Sequence, residues 1–160
     1  MVMERSIDVA NYLSSISNRP QTFIEFNGHK MNSRDYCISE IMYLANIFHK
    51  LIFDDFIVPT SDFEAGTNGP INNVFREKNN LESTSLSYQI KEFLNKIENY
   101  FSEFKPEELY TITHGDPAFI DAEESCVMKT ENYVETYKNE FKNSVRDFLK
   151  TYNLKSAIIF

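Results

Sequence analysis

The sequence predicts a mainly α protein: a compact single-domain helical bundle of about six to seven helices with a small β excursion. Three observations predict it. Apolar residues recur at alternating steps of three and four along several segments, polar caps and prolines stand where those segments begin and end, and one short run of β-type residues precedes an Asn-Gly turn. The 160 residues suit one domain spanning 1–160, since domains run to roughly 100–200 residues, and 42% hydrophobic with 25% charged residues is too apolar for a disordered chain.

The first helix is expected to open at Ser6 as N-cap, to carry Ile7, Ala10, Leu13 and Ile16 on one stripe, and to end at Asn18-Arg19-Pro20. Thr22-Phe23-Ile24-Glu25-Phe26 has strand-type residues, and Asn27-Gly28 is a turn signal. The clearest helix begins at Asn32-Ser33, with Asp35 in its first turn. Ile38, Ile41, Ala45, Phe48 and Ile52 form its stripe, and Cys37, Leu44 and Leu51 widen it. A stripe that broad places the helix in the middle of a core, running to about Leu51. From Phe53 to Gly69 the periodicity fails, and Pro59, Gly66 and Gly69 mark a structured loop with one or two short strands.

Gly69-Pro70 is read as the start of a helix that turns Ile71, Val74 and Phe75 inward, because proline at the first helical position loses no hydrogen bond. After the polar stretch Arg76 to Ser85, a second long helix carries Leu86, Ile90, Phe93, Ile97, Tyr100 and Phe104. Lys105-Pro106 stops it and starts another, with Glu107 and Glu108 at its positive end, Leu109 and Ile112 inward, and Gly115 closing it. Asp116-Pro117 repeats the cap-then-proline signature before a short turn offering Phe119, Ile120 and Ala122 to the core. The last helix is expected to be continuous over about five turns, on the stripe Val134, Tyr137, Phe141, Val145, Phe148 and Tyr152. The apolar tail at 154–160, ending Ala157-Ile158-Ile159-Phe160, either docks on its own domain or is offered to another chain.

The net charge is −8 with no cluster of Lys and Arg, which argues against direct nucleic-acid binding. No apolar run reaches the roughly 20 residues of a membrane span, and the N-terminus lacks the layout of a signal peptide, so a cytoplasmic protein is expected. Cys37 and Cys126 have no second Cys or His at ligand spacing and read as small buried apolar residues. His49 reads as a packed core histidine and His114 as an imidazolium complementing a helix C-terminus, neither with a local partner. Asp54-Asp55 and Glu123-Glu124 read as solvated pairs. There is no phosphate-cradling glycine loop, Gly-x-Ser-x-Gly or His-Glu-x-x-His, so the expectation is no enzyme, no cofactor and no metal. Tyr36, Tyr110 and Tyr133 fall off or at the edge of their stripes, where they can contribute to a binding patch.

Several segments in order resemble the Panacea domain, the SocA-like antitoxin or phage-associated GepA-like family. Asp8-Val9-Ala10-Asn11-Tyr12 is similar to that family's start, and Met42-Tyr43-Leu44-Ala45-Asn46-Ile47-Phe48-His49 resembles its Leu-Tyr-x-Ala-Gln-x-x-His helix. Phe63-Glu64-Ala65-Gly66-Thr67-Asn68-Gly69-Pro70-Ile71 with Val74-Phe75 resembles its aromatic, Gly-Pro-Val and Val-Tyr block. Leu109-Tyr110-Thr111-Ile112-Thr113-His114 with Pro117-Ala118-Phe119 is similar to its Leu-Ser-x-Leu-Thr-His motif and following Pro-Trp. The resemblance runs from about Ser6 to Glu124. The family's Trp positions hold Phe48, Ala65 or Gly66, and Phe119 here, Asn46 replaces Gln, and residues 19–31 look like an insertion between the first two helices.

The resemblance implies a helical domain of toxin–antitoxin pairs and mobile elements, whose members neutralise a toxin and in some cases act as adaptors presenting it to a protease. On that basis the expected partner is a protein, a toxin or a host protein. The motif residues Tyr43, Ala45, His49, Gly69, Pro70, Val74, Thr113, His114 and Pro117 are expected mainly to hold the scaffold. The Asp54–Pro70 loop and neighbouring helix faces form the expected contact surface, with Phe56, Phe63, Asn68, Tyr110 and Phe119 as candidates. Two other functions stay open: a mobile-element inhibitor that blocks a host nuclease with an acidic surface mimicking nucleic acid, and an enzyme using His49 or His114 as base.

Overall fold

The alternating apolar steps produce seven α-helices among the described residues of the computed structural model, which covers residues 3–75 and 85–155. They are α1 (Ser6–Ile16), α2 (Ser33–Phe53), α3 (Tyr88–Phe101), α4 (Pro106–His114), α5 (Pro117–Asp121), α6 (Val134–Glu140) and α7 (Lys142–Thr151). Two antiparallel hairpins complete the fold: β1 (Phe23–Phe26) with β2 (His29–Asn32), and β3 (Phe63–Gly66) with β4 (Gly69–Asn72). No described helix is long and apolar enough to cross a membrane. The tail Ser156–Phe160 lies outside the described residues.

Helix α2 is the axis of the molecule. The Asn32 side chain caps it by accepting from the Asp35 N–H at 3.1 Å, and Asp54 ends it in the left-handed region at φ +65. Every residue from Tyr36 to His49 is buried, as expected of a helix wrapped on all sides. Helices α1, α3, α4, α6 and α7 all pack against it. The Phe48 ring sits among Phe101, Phe141 and Phe148 at centroid distances of 5.5–6.0 Å, with edge-to-face geometry.

The polar residues of α2 fix the loops around it. Asn46 Oδ1 accepts from the Ile57 and Val58 N–H groups at 2.7 and 3.0 Å, and its Nδ2 donates to the Val58 carbonyl at 3.2 Å. One turn on, His49 Nδ1 lies 2.5 Å from the Asp55 carbonyl. Burial pushes the His49 pKa down, against the pull of that carbonyl and of the Asp55 charge. Tyr43 donates to the Asp116 carboxylate, which also accepts from Tyr137 and from the Ala118 N–H. Asn46 and His49 therefore pin the loop 55–58, and Tyr43 the Asp116 segment, to one helix.

The structure departs from the sequence reading at several places. Gly69-Pro70 starts no helix: the segment Gly69–Asn72 is β4, closed onto β3 by the turn Thr67-Asn68, and only a short 3₁₀ turn follows at Asn73–Phe75. The strand tolerates Pro70 because its partner Ala65 directs its N–H and carbonyl the other way, to Cys126 and Ser125 at 2.9 and 2.8 Å. Ser6 is the first helical residue rather than the cap. Its hydroxyl donates to Asp62 at 2.7 Å and accepts from Asn72 at 2.9 Å, tying α1 to the second hairpin. The last helix breaks at Phe141, with φ −98 and ψ 7, into α6 and α7. The break lets Tyr137 reach Asp116 while Phe141 and Phe148 both face Phe48, a demand of packing with no proline or glycine behind it. In α5 it is Ala118 that is buried, whereas Ile120 is 64% exposed. Cys126 is exposed, unlike Cys37, because its backbone serves the edge of β3.

A candidate partner-binding groove

The segment 19–31, expected as an insertion, carries all but the last residue of the hairpin β1–β2, which stands on α2 and α4. Phe26 packs on Tyr36 and Tyr110, at ring distances of 5.3 and 4.5 Å, and Asn27 Nδ2 donates to the Tyr110 hydroxyl at 2.9 Å. Across from it stands β3–β4. Between the two hairpins and α1 an open groove of about 980 Å³ runs over the N-terminal half of α2. Ile7, Met31, Ile71, Val74 and Phe75 give it apolar walls, and Phe23, 67% exposed, stands at its rim with the Lys30 ammonium 4.8 Å from its ring.

The floor holds Glu40, which is 1% exposed. Its Oε2 has no hydrogen-bond donor among the described residues, and neither does the buried Oδ1 of Asn68, another groove residue. Burial pushes the Glu40 carboxyl well above the ordinary range, and a hydrogen bond with Thr113 opposes this. Tyr36, one turn before Glu40, donates to the Asn68 carbonyl at 3.3 Å and holds the hairpin tip over the carboxyl. Burial beside Glu40 raises the Tyr36 phenol, so it stays a donor. A charged group so enclosed is costly unless paired.

Gly69 completes this site for two reasons. Its φ of +127 disfavours any side chain. A Cβ there would also lie 3.1 and 3.2 Å from the two Glu40 oxygens and 3.4 Å from His114 Cε1. Gly69, Thr113 and His114, drawn from two separate motif blocks, thus converge on Glu40. His114 has a partner after all: its Nδ1 meets the Tyr110 carbonyl at 3.0 Å and its ring stacks on Tyr110 at 3.6 Å. Burial lowers its pKa despite that carbonyl, so the neutral ring is favoured over the imidazolium expected from the helix end.

Of the expected contact residues, only Asn68 lines the groove. Phe63 is 1% exposed and belongs to the core, because alternation along β3 turns it inward against Tyr43. Tyr110 and Phe119 are half-buried against His114, and Phe56 is half-buried with the Lys50 ammonium 5.5 Å from its ring. Tyr36 is buried rather than an edge tyrosine. Among the motif residues Tyr43, Ala45, His49, Gly69, Pro70 and Thr113 are buried, while Val74, His114 and Pro117 are half-buried.

The two histidines occupy different clusters, His49 against Phe53 and Phe93, His114 against Tyr110 and Phe119. No group of three or more His, Cys, Asp or Glu among the described residues is placed to hold a metal ion. Sequence reasoning missed Glu40, yet a signal was present: between Asp35 and Lys50 it is the one Asp, Glu, Lys or Arg in an otherwise uncharged, largely apolar run. Comparison with protein families, curated proteins and solved structures returns no match for this chain.

Proposed function

We propose that this chain is an antitoxin-like protein-interaction domain that binds and neutralises a partner protein, with the groove between its two hairpins as the contact surface. The observation that carries the reading is the groove itself: apolar walls above a floor where two buried acceptors, Glu40 Oε2 and Asn68 Oδ1, lack donors among the described residues. Such acceptors are costly left alone and favourable once a partner supplies donors. The pattern of Panacea-like motifs supports it further, because residues of two motif blocks hold the groove's floor and wall in place: Gly69 and Pro70 on β4, Thr113 and His114 on α4. Their role is structural, and the partner meets the residues they position.

The test is co-expression with the product of the adjacent gene. Wild-type chain relieves the growth arrest that product causes, and Phe23→Ser, a change at an exposed rim position with little cost to folding, relieves it less while melting at the wild-type temperature. Full relief by a variant with the rim and floor both altered, Phe23→Ser with Asn68→Ala, would place the contact elsewhere.

A further inference from the structure

Resting on that reading, the geometry points to the chemistry of what the groove accepts: the guanidinium of an arginine side chain on an exposed segment of the partner, seated against the Glu40 carboxylate and the Asn68 side-chain carbonyl. Both acceptor atoms are buried and unpaired among the described residues, and Tyr36 holds the backbone of one beside the other. A neutral single donor would satisfy one of them. A planar fork with five N–H groups satisfies both and neutralises the buried charge.

The walls fit the same side chain. An arginine stem is apolar up to its head group and can lie along Ile7, Met31, Val74 and Phe75 while the head reaches the floor. The charge environment agrees: Asp35 joins Glu40 among the groove residues, Lys30 is the one cation among the described residues that line it, and the chain as a whole carries −8. A lysine would bring charge without the fork, and its three donors radiate from one point.

The experiment titrates the full chain with three capped pentapeptides, acetyl-Ala-Ala-X-Ala-Ala-amide with X arginine, lysine or citrulline, followed by amide chemical shifts. Citrulline keeps the shape of arginine and removes its charge. The arginine peptide shifts the Tyr36, Asn68 and Gly69 resonances saturably and binds at least about tenfold tighter than the citrulline peptide, a difference of about 1.4 kcal/mol. The lysine peptide falls between them. Glu40→Gln removes the preference for arginine over citrulline.

Equal binding of the arginine and citrulline peptides, no shifts with any peptide, or a preference that survives Glu40→Gln overturns the inference. If circular dichroism shows Glu40→Gln unfolded, Asn68→Ala is read in the same titration and cuts the arginine preference several-fold; an unchanged preference there is equally fatal. Relief of growth arrest in the co-expression assay by wild-type chain, alongside a failed peptide titration, leaves the groove reading standing and removes only the guanidinium.

Discussion

Replacing Gly69 by alanine tests the arrangement around Glu40 most directly, because two costs add at one atom. A non-glycine residue held at φ +127 carries backbone strain of about 1–3 kcal/mol. The new methyl would stand 3.1 and 3.2 Å from the Glu40 oxygens, and forcing a buried neighbour aside costs about 1–3 kcal/mol more. The expected loss is therefore roughly 2–6 kcal/mol, or a fall in Tm of about 4–24 °C at about 2–4 °C per kcal/mol for a chain of this size. Gly28, at φ +80 with nothing within 4 Å of its hypothetical Cβ, serves as control, since alanine there incurs only the backbone cost. A double-mutant cycle with Glu40→Ala isolates the collision. Removing the carboxylate should return the crowding part, so the pair is less destabilising than the sum of the singles by about 1–3 kcal/mol. Thermal melts and urea titrations of the four proteins measure it. Additivity within about 0.5 kcal/mol, or a Gly69→Ala melt matching the Gly28→Ala melt, would falsify the placement of Gly69 over the carboxyl.

Three further outcomes are expected. The folded-state pKa of Glu40 lies above its unfolded value, so its contribution is present below about pH 4.5 and lost as pH rises through the raised value. Denaturation of wild type and Glu40→Gln across that range should show a gap opening in favour of the variant as pH increases, and a gap that stays flat refutes the buried carboxyl. Asn46→Ala leaves the Ile57 and Val58 N–H groups without an acceptor, at about 1–3 kcal/mol each, and hydrogen exchange at those two amides should lose its protection, with retained protection as the contrary result. For the complex with its partner, affinity should fall only modestly with added salt, since one seated charge and apolar walls make the contact. A loss of about tenfold or more between low and moderate ionic strength would favour acidic mimicry of nucleic acid instead.

Local and one-dimensional patterns were legible without the structure. The strand Phe23–Phe26 before Asn27-Gly28, the central helix from Asn32-Ser33, and the Pro106 and Asp116-Pro117 helix starts all depend on residues within a few positions of one another. The same logic misjudged Gly69-Pro70, because glycine then proline serves a strand as well as a helix. The choice fell to the pairing of β3 with the Ser125–Cys126 segment, about sixty residues away. It also missed the break at Phe141, which the packing around Phe48 and the reach of Tyr137 to Asp116 impose.

What the sequence determined by itself is the helical class and the central place of α2, since the period of apolar residues along a chain dictates which of its faces must leave water. What only the tertiary structure decided is where the polar exceptions go. Glu40, Asn68, Gly69, Thr113 and His114 are spread over more than seventy positions, and the groove exists because packing brings them together. The burial of the Glu40 Oε2 oxygen without a donor among the described residues is a property of the assembled surroundings, and no stretch of chain around Glu40 contains it.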